Sequence, residues 1–243
     1  MSFILIIGAT SDIGRAVAHE YARHGYNIYL AARNSERVKP DAYDLAIRYR
    51  VKVKPCELDV LDVESHTQFY ESLPEPPFGV VCVAGYLGDN EKAKTDFTEV
   101  RKIIDTNYTG CVSILNICAR SFEARKMGFI VGISSVAGDR GRQSNYYYGS
   151  AKAAFTAYLS GLRGRLHTSN VQVLTVKPGF VYTQMTEHLK LPGIVTVQPD
   201  YVAGRVYRAQ QKKKNTIYVM WLWRWIMMVI KCLPENVFKK MKF

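Results

Sequence analysis

Seven short apolar runs, separated by helix-length amphipathic stretches, constrain this chain more than any other feature. They are "FILIIG" (3–8), "NIYLAA" (27–32), "VKVKPCEL" (51–58), "GVVCVAG" (79–85), "GFIVGISS" (128–135), "VQVLTVKPG" (171–179) and "NTIYVM" (215–220). The intervening segments, residues 96–122 for example, repeat apolar residues at three- and four-residue spacing. Strands alternating with helices predict an α/β fold: a doubly wound, mostly parallel, seven-stranded sheet with helices on both faces. Such sheets bind ligands at the carboxyl ends of their strands, near the point where strand order reverses. A chain of 243 residues that is 48% hydrophobic suits one well-packed domain, assigned to residues 1–220, with residues 221–243 as an amphipathic extension.

Charge and cysteines narrow the setting. Ten of the 33 Lys/Arg residues but only one of the 21 Asp/Glu residues fall in 205–243, so the net charge of +12 belongs mostly to the tail. The five cysteines, odd in number and unclustered, suit reduced thiols in the cytoplasm, and no metal site is expected. The opening "MSFILIIGATSDIGRA" has no basic leader and reads as a buried strand rather than a signal peptide.

The first strand end carries the first chemical signal. Gly8 closes the strand, and Gly14 opens a helix whose apolar face runs Ile13, Val17, Ala18 and Tyr21. A tight turn feeding a helix N-terminus aims free N–H groups at an anion such as a dinucleotide pyrophosphate. The second strand ends "AARN", with no carboxylate for a ribose hydroxyl; Arg33 stands where a 2′-phosphate needs a cation, which favours NADP over NAD.

The second signal is "NYYYGSAKAAF" (145–155). On a helix, residues four apart share a face, so Tyr148 pairs with Lys152, whereas Tyr146 and Tyr147 meet Ser150 and Ala151 at that offset. Among 16 tyrosines no other has lysine four residues on, yet one such match is expected by chance. The pair gains meaning only beside a cofactor site.

Taken in order, the motifs resemble those of the short-chain dehydrogenases/reductases over nearly all of residues 1–220. The family's Gly-x-x-x-Gly-x-Gly is similar to Gly8-Ala-Thr-Ser11-Asp12-Ile13-Gly14, with aspartate at the middle glycine; Asp59-Val60 matches its Asp-Val near the adenine. Its Asn-Asn-Ala-Gly is reduced to Cys82-Val83-Ala84-Gly85, and "PGFVYTQM" (178–185) resembles the segment covering the nicotinamide, with Val181 and Thr183 in contact. Asn107 and Ser135 fall at the positions of the family's helix asparagine and catalytic serine.

The resemblance implies a Rossmann-type sheet, an NADP cofactor, a homo-oligomer and a catalytic set of Asn107, Ser135, Tyr148 and Lys152. Cofactor contacts are implied at Gly8, Ser11, Asp12, Ile13 and Gly14, at Arg33, Asp59 and Val60, and at Ala84 and Gly85. Tyr148, Lys152, Val181 and Thr183 complete that set. Carbonyl reduction then has a proton donor in Tyr148, whose phenolate the Lys152 cation stabilises. Ser135 bonds the carbonyl oxygen, Lys152 holds the ribose, and Asn107 supports a water chain returning the proton. Asp12 must turn its carboxylate away from the pyrophosphate, and other groups must replace the two lost asparagines. A non-catalytic NADP-binding regulator is the alternative, opposed by the intact Asn-Ser-Tyr-Lys set.

The tail points to the substrate. The apolar run Ile217–Ile230 is 14 residues with Arg224 inside it, short of the roughly 20 that span a bilayer. A helix with Leu222, Trp225, Ile226, Val229 and Leu233 at helical spacing ends at Pro234, and Lys231, Lys239, Lys240 and Lys242 come after the apolar run. Trp and Met beside lysines suit peripheral contact with a membrane surface; burial on the body or between subunits is the competing expectation. The tail and "GATSDIG" also resemble the reductases of polyprenyl-phosphate-linked 2-keto-pentoses, implying a lipid-linked carbonyl substrate at the cytoplasmic membrane face. A fatty-acyl ketone or a small soluble ketone remains open as substrate. Nucleic acid is not expected, because tryptophans and methionines dominate between the tail's charges.

Overall fold

Alternation along the first strand sets up two cores. The computed structural model describes residues 2–187 and 191–241. In β1 (Phe3–Ile7), Ile4 and Ile6 face one side of the sheet, while Phe3, Leu5 and Ile7 face the other. The central strands are buried on both faces and read as continuous apolar runs, whereas the two edge runs, 53–57 and 216–218, are only partly covered.

The chain continues through α1 (Asp12–Arg23), β2 (Asn27–Ala32), α2 (Lys39–Tyr49), β3 (Val53–Glu57), α3 (His66–Glu71) and β4 (Gly79–Cys82). After α4 (Asn90–Ala93) and α5 (Phe97–Ile104), a π-helical turn at Asp105–Thr109 leads into α6 (Gly110–Arg125) and β5 (Phe129–Ile133). Then come α7 (Tyr146–Leu166), β6 (Gln172–Lys177), the short β7 (Phe180–Val181) and β8 (Thr196–Val197), α8 (Pro199–Gln211) and β9 (Thr216–Tyr218). The seven expected strands form one parallel sheet, ordered β3-β2-β1-β4-β5-β6-β9. Strand order reverses between β1 and β4, so the crevice lies beyond Gly8 and Val83–Gly85. A two-stranded ribbon, β7 on β8, was not foreseen.

The extension forms α9 (Trp221–Cys232) and α10 (Glu235–Phe238). Residues 188–190, within the apolar stretch before Pro199, lie outside the described residues, as do Lys242 and Phe243 of the tail. Among the described residues, no helix is long and apolar enough to cross a membrane. The inward face of α9 is Trp223 and Met227, which bury against Val136, Phe180, Val195 and Tyr218. Of the stripe the spacing had singled out, Ile226 packs beside this face, whereas Trp225 and Val229 are exposed. A helix apolar all round does not declare its inner face, and the body chooses it. Tail and body are therefore packed together along this face.

Candidate active site

Two adjoining cavities, of about 310 and 200 Å³, form one trough at the carboxyl ends of the strands. Thr10, Ser11, Val83, Gly85 and Met185 line both. The first takes Ser11, Asp12, Ile13, Gly85, Ser135, Tyr148, Lys152, Val181 and Thr183. The second takes Gly8, Ser11, Arg33, Asp59, Val60, Ala84 and Gly85. Of the residues singled out in the sequence, Gly14 and Asn107 stand behind the wall rather than on it.

The glycine loop is built for close approach. Gly8 has φ +84°, and a Cβ there would lie 2.7 Å from the Ala84 nitrogen. A Cβ on Gly14 would sit 2.4 Å from the Gly8 carbonyl oxygen, so the helix end packs directly on the loop. Ser11 caps α1 by accepting the Gly14 N–H at 3.1 Å, leaving the first-turn N–H groups of Asp12 and Ile13 ahead of the helix's own bonding. The Asp12 carboxylate accepts the Gln184 N–H at 2.8 Å, tying the segment after β7 to the loop. A dinucleotide pyrophosphate fits this cradle. Val83 N–H donates to the Ile7 carbonyl, and the Cys111 thiol reaches the Ala84 carbonyl at 3.9 Å; these bonds steady the strand that lacks the two asparagines.

The reactive end is held by α7. Lys152 is 3% exposed, and its Nζ donates to the Ile133 carbonyl at 3.1 Å, within 5.7 Å of the Tyr148 ring centre. Ser134 Oγ donates to the Lys152 carbonyl and shares a 2.7 Å hydrogen bond with Thr156, pinning the end of β5 to the helix. The turn after Ser135 docks closely on α7: a Cβ on Gly138 would fall 2.7 Å from the Ala153 nitrogen, and one on Gly149 would fall 2.9 Å from the Ala137 carbonyl oxygen. Ser135 Oγ accepts the Ala137 N–H at 3.1 Å, which leaves its own O–H free to donate into the trough.

Asn107 is fully buried in the π-helical turn. Its amide donates to the Tyr86 and Ile103 carbonyls and accepts the Tyr86 N–H. A Cβ at Gly85 would lie 3.1 Å from Asn107 Oδ1 and 3.4 Å from Lys152 Nζ, so the two groups flank one glycine. The widened turn, a distortion common at functional sites, delivers the asparagine there.

At the other end Arg33 follows β2, exposed and without an ion pair among the described residues. Arg37, from the turn Ser35–Val38, lines the first cavity. Sequence reasoning passed over it, although "RNSER" places two arginines within one turn's reach. Asp59 turns its carboxylate to the Leu61 N–H, while His66 and the close approach of Gly110 hold the Asp59–Val60 backbone.

The C-terminal helix roofs the reactive end. The Trp223 indole covers Gly179, meets Phe180 edge to face at 5.4 Å, and donates to the Val195 carbonyl at 3.2 Å. Arg140, five residues past Ser135, donates to the Ile230 and Leu233 carbonyls at the end of α9 and pairs with Glu235. Beneath, Lys177 pairs with Asp139, which also accepts the Tyr218 hydroxyl; burial and then the carboxylate push that phenol well above its usual range.

A doubly wound sheet with a glycine cradle at its switch point and a Tyr–Lys helix beside it defines a nucleotide-dependent oxidoreductase fold. Residues 2–192 match the short chain dehydrogenase family, and the chain belongs to it. An uncharacterized oxidoreductase of Mycobacterium tuberculosis is 35% identical, over 98% of this chain and 96% of its own length. The 3-oxoacyl-acyl-carrier-protein reductase of Aquifex aeolicus is 30% identical over 75% of each chain. A short-chain dehydrogenase of Sphingobium yanoikuyae, solved with NADPH, superimposes with a TM-score of 0.84 at 20% identity, covering 97% of both chains.

Proposed function

We propose that this protein is an NADP(H)-dependent carbonyl reductase in which Tyr148 donates the proton. The observation that carries the reading is the meeting of Ser135, Tyr148 and Lys152 on one wall of a trough whose far end holds Arg33. The cofactor is NADP(H): Arg33 and Arg37 supply cations for a 2′-phosphate, the Gly8–Gly14 loop suits a pyrophosphate, and the similar Sphingobium enzyme carries NADPH. When bound, the cofactor supplies the hydride. Ser135 donates its free O–H to the substrate carbonyl oxygen, and Tyr148 passes a proton to that oxygen as charge develops. Lys152, fixed by the Ile133 carbonyl, stabilises the phenolate left behind and bonds the ribose. Asn107 positions Gly85 and Tyr86 beside the lysine. In Tyr148→Phe, NADPH oxidation by a panel of ketones falls by about 10²–10⁴-fold while NADPH binding stays within a few-fold. Normal turnover by that variant overturns the mechanism, and a wild type that binds NADPH but reduces no ketone favours the regulator.

A second reading concerns the substrate: a lipid-linked keto-sugar, or another lipid ketone, reduced at a membrane surface. The outer face of α9 supports it, since Trp221, Trp225, Met228 and Val229 are exposed on a helix that leaves the sheet at the same end as the trough. Their role is interfacial, entering the headgroup region rather than spanning the bilayer. The wild type then pellets with phosphatidylglycerol vesicles and weakens in high salt. Absence of pelleting returns the substrate to the soluble ketones.

A further inference from the structure

Beside α9 lies a groove of about 610 Å³ that the reductase chemistry does not use. Arg205 and Arg208 of α8, Lys212 and Lys214 of the following turn, and Arg224 of α9 line it, with Trp221 at its rim. No carboxylate lines it, and among the described residues none of the five cations has an ion-pair partner. The Arg205 Nε is buried with no hydrogen-bond partner among the described residues. Like charges gathered without a counter-charge repel one another, so the arrangement is stabilised when an anion enters. Arginine favours a phosphate that can take two parallel hydrogen bonds.

The neighbouring surface identifies the anion's source. Trp221, Trp225, Met228 and Val229 are 65%, 52%, 49% and 58% exposed and form an apolar ridge that starts at the groove's rim. Indoles on one side and cations on the other match the layering of a lipid headgroup region, with ring bodies at the acyl boundary and charges at the phosphates. Of the two rings at the groove, Tyr218 is tied to Asp139 and Trp221 stands at the rim, so no row of free stacking rings alternates with the cations as a single-stranded nucleic acid requires; a symmetric second copy seated here would set five cations against five. We infer that this groove is the headgroup site of an anionic membrane surface: it takes the phosphate of an acidic phospholipid while Trp221 and Trp225 enter the interface beside it. The inference rests on the membrane reading above and adds which face meets the lipid. The α8–β9 edge lies against the leaflet, and α9 keeps its inner face on the body.

The test is sedimentation of the full chain with phosphatidylcholine vesicles, with and without phosphatidylglycerol. Lys212→Gln with Arg224→Gln lowers partitioning to the anionic vesicles about 30-fold, since each cation near such a leaflet contributes about fivefold. Lys52→Gln with Arg120→Gln removes the same charge from distant surfaces and changes partitioning less than about twofold, the loss expected from long-range attraction alone after screening. NADPH binding is unchanged in both pairs. Wild-type partitioning by the Lys212/Arg224 pair, with loss of partitioning in Trp221→Ala with Trp225→Ala, overturns the groove and leaves the membrane reading standing. Failure of the wild type to pellet overturns both; a groove pair that then loses its oligomeric state, or loses binding to a single-stranded oligonucleotide, reassigns the groove.

Discussion

The two ends of the trough are built by opposite means. At the reactive end Lys152, Ser134 and Asn107 are buried, and each is bonded to main-chain groups that leave it little freedom. At the opposite end Arg33, just past a strand, is exposed, as is Arg37 on the following turn, which borders the first cavity; neither has an ion pair among the described residues. Proton transfer depends on fixed geometry, and a donor misplaced by an ångström loses much of its effect. Cofactor choice depends on charge, which acts over several ångströms and tolerates a mobile side chain. Rigidity is concentrated at the end where we place the proton transfer.

The sharpest test of that contrast is Lys152→Met. It removes both the cation and the anchor to Ile133, so turnover falls by about 10²–10⁴-fold, read as NADPH oxidation at saturating substrate. A loss confined to cofactor affinity would make Lys152 a binding residue only. Trp223→Ala comes next: emptying a buried indole site lowers unfolding free energy by about 3–5 kcal/mol in urea titrations. Unchanged stability there would mean that α9 is not part of the reactive end. At the opposite end, Arg33→Ala raises the NADPH dissociation constant by about 10–100-fold, as loss of a charged phosphate contact of ~1.5–3 kcal/mol predicts, and leaves NADH unaffected. Equal wild-type affinity for both cofactors breaks the assignment. Asp12→Asn keeps an oxygen for the Gln184 N–H and removes a negative charge beside the cradle, so NADPH binds about two- to fivefold tighter by calorimetry. Tyr147→Phe, whose ring packs with Tyr146 and the α5 side chains, changes turnover by less than about twofold.

Much of this was legible in the sequence because it is local. Strand spacing, the glycine loop and the four-residue offset of Tyr148 and Lys152 are properties of short windows, and the sheet order places them together. What escaped depends on contacts between distant segments. Asp12 meets Gln184 across 172 positions. Asn107 joins Tyr86 across 21, an attachment that a motif position does not reveal. The β7–β8 ribbon is two residues on each strand, below any periodic signal. Trp223, not Trp225, turned inward because Gly179 leaves the space an indole fills. Arg37 joined the site through the turn that Asn34 caps by accepting the Glu36 N–H.

The bonds from Arg140 to the end of α9 bear on how the enzyme is made. Chains emerge from the ribosome N-terminus first, and the sheet strands, Ser135, Tyr148 and Lys152 are all translated before Trp221. Arg140, on the loop that follows Ser135, caps the last carbonyls of α9, and Trp223 roofs Gly179. A nascent chain therefore carries Ser135, Tyr148 and Lys152, with Lys152 already tied to β5, before the helix that covers Gly179 is made.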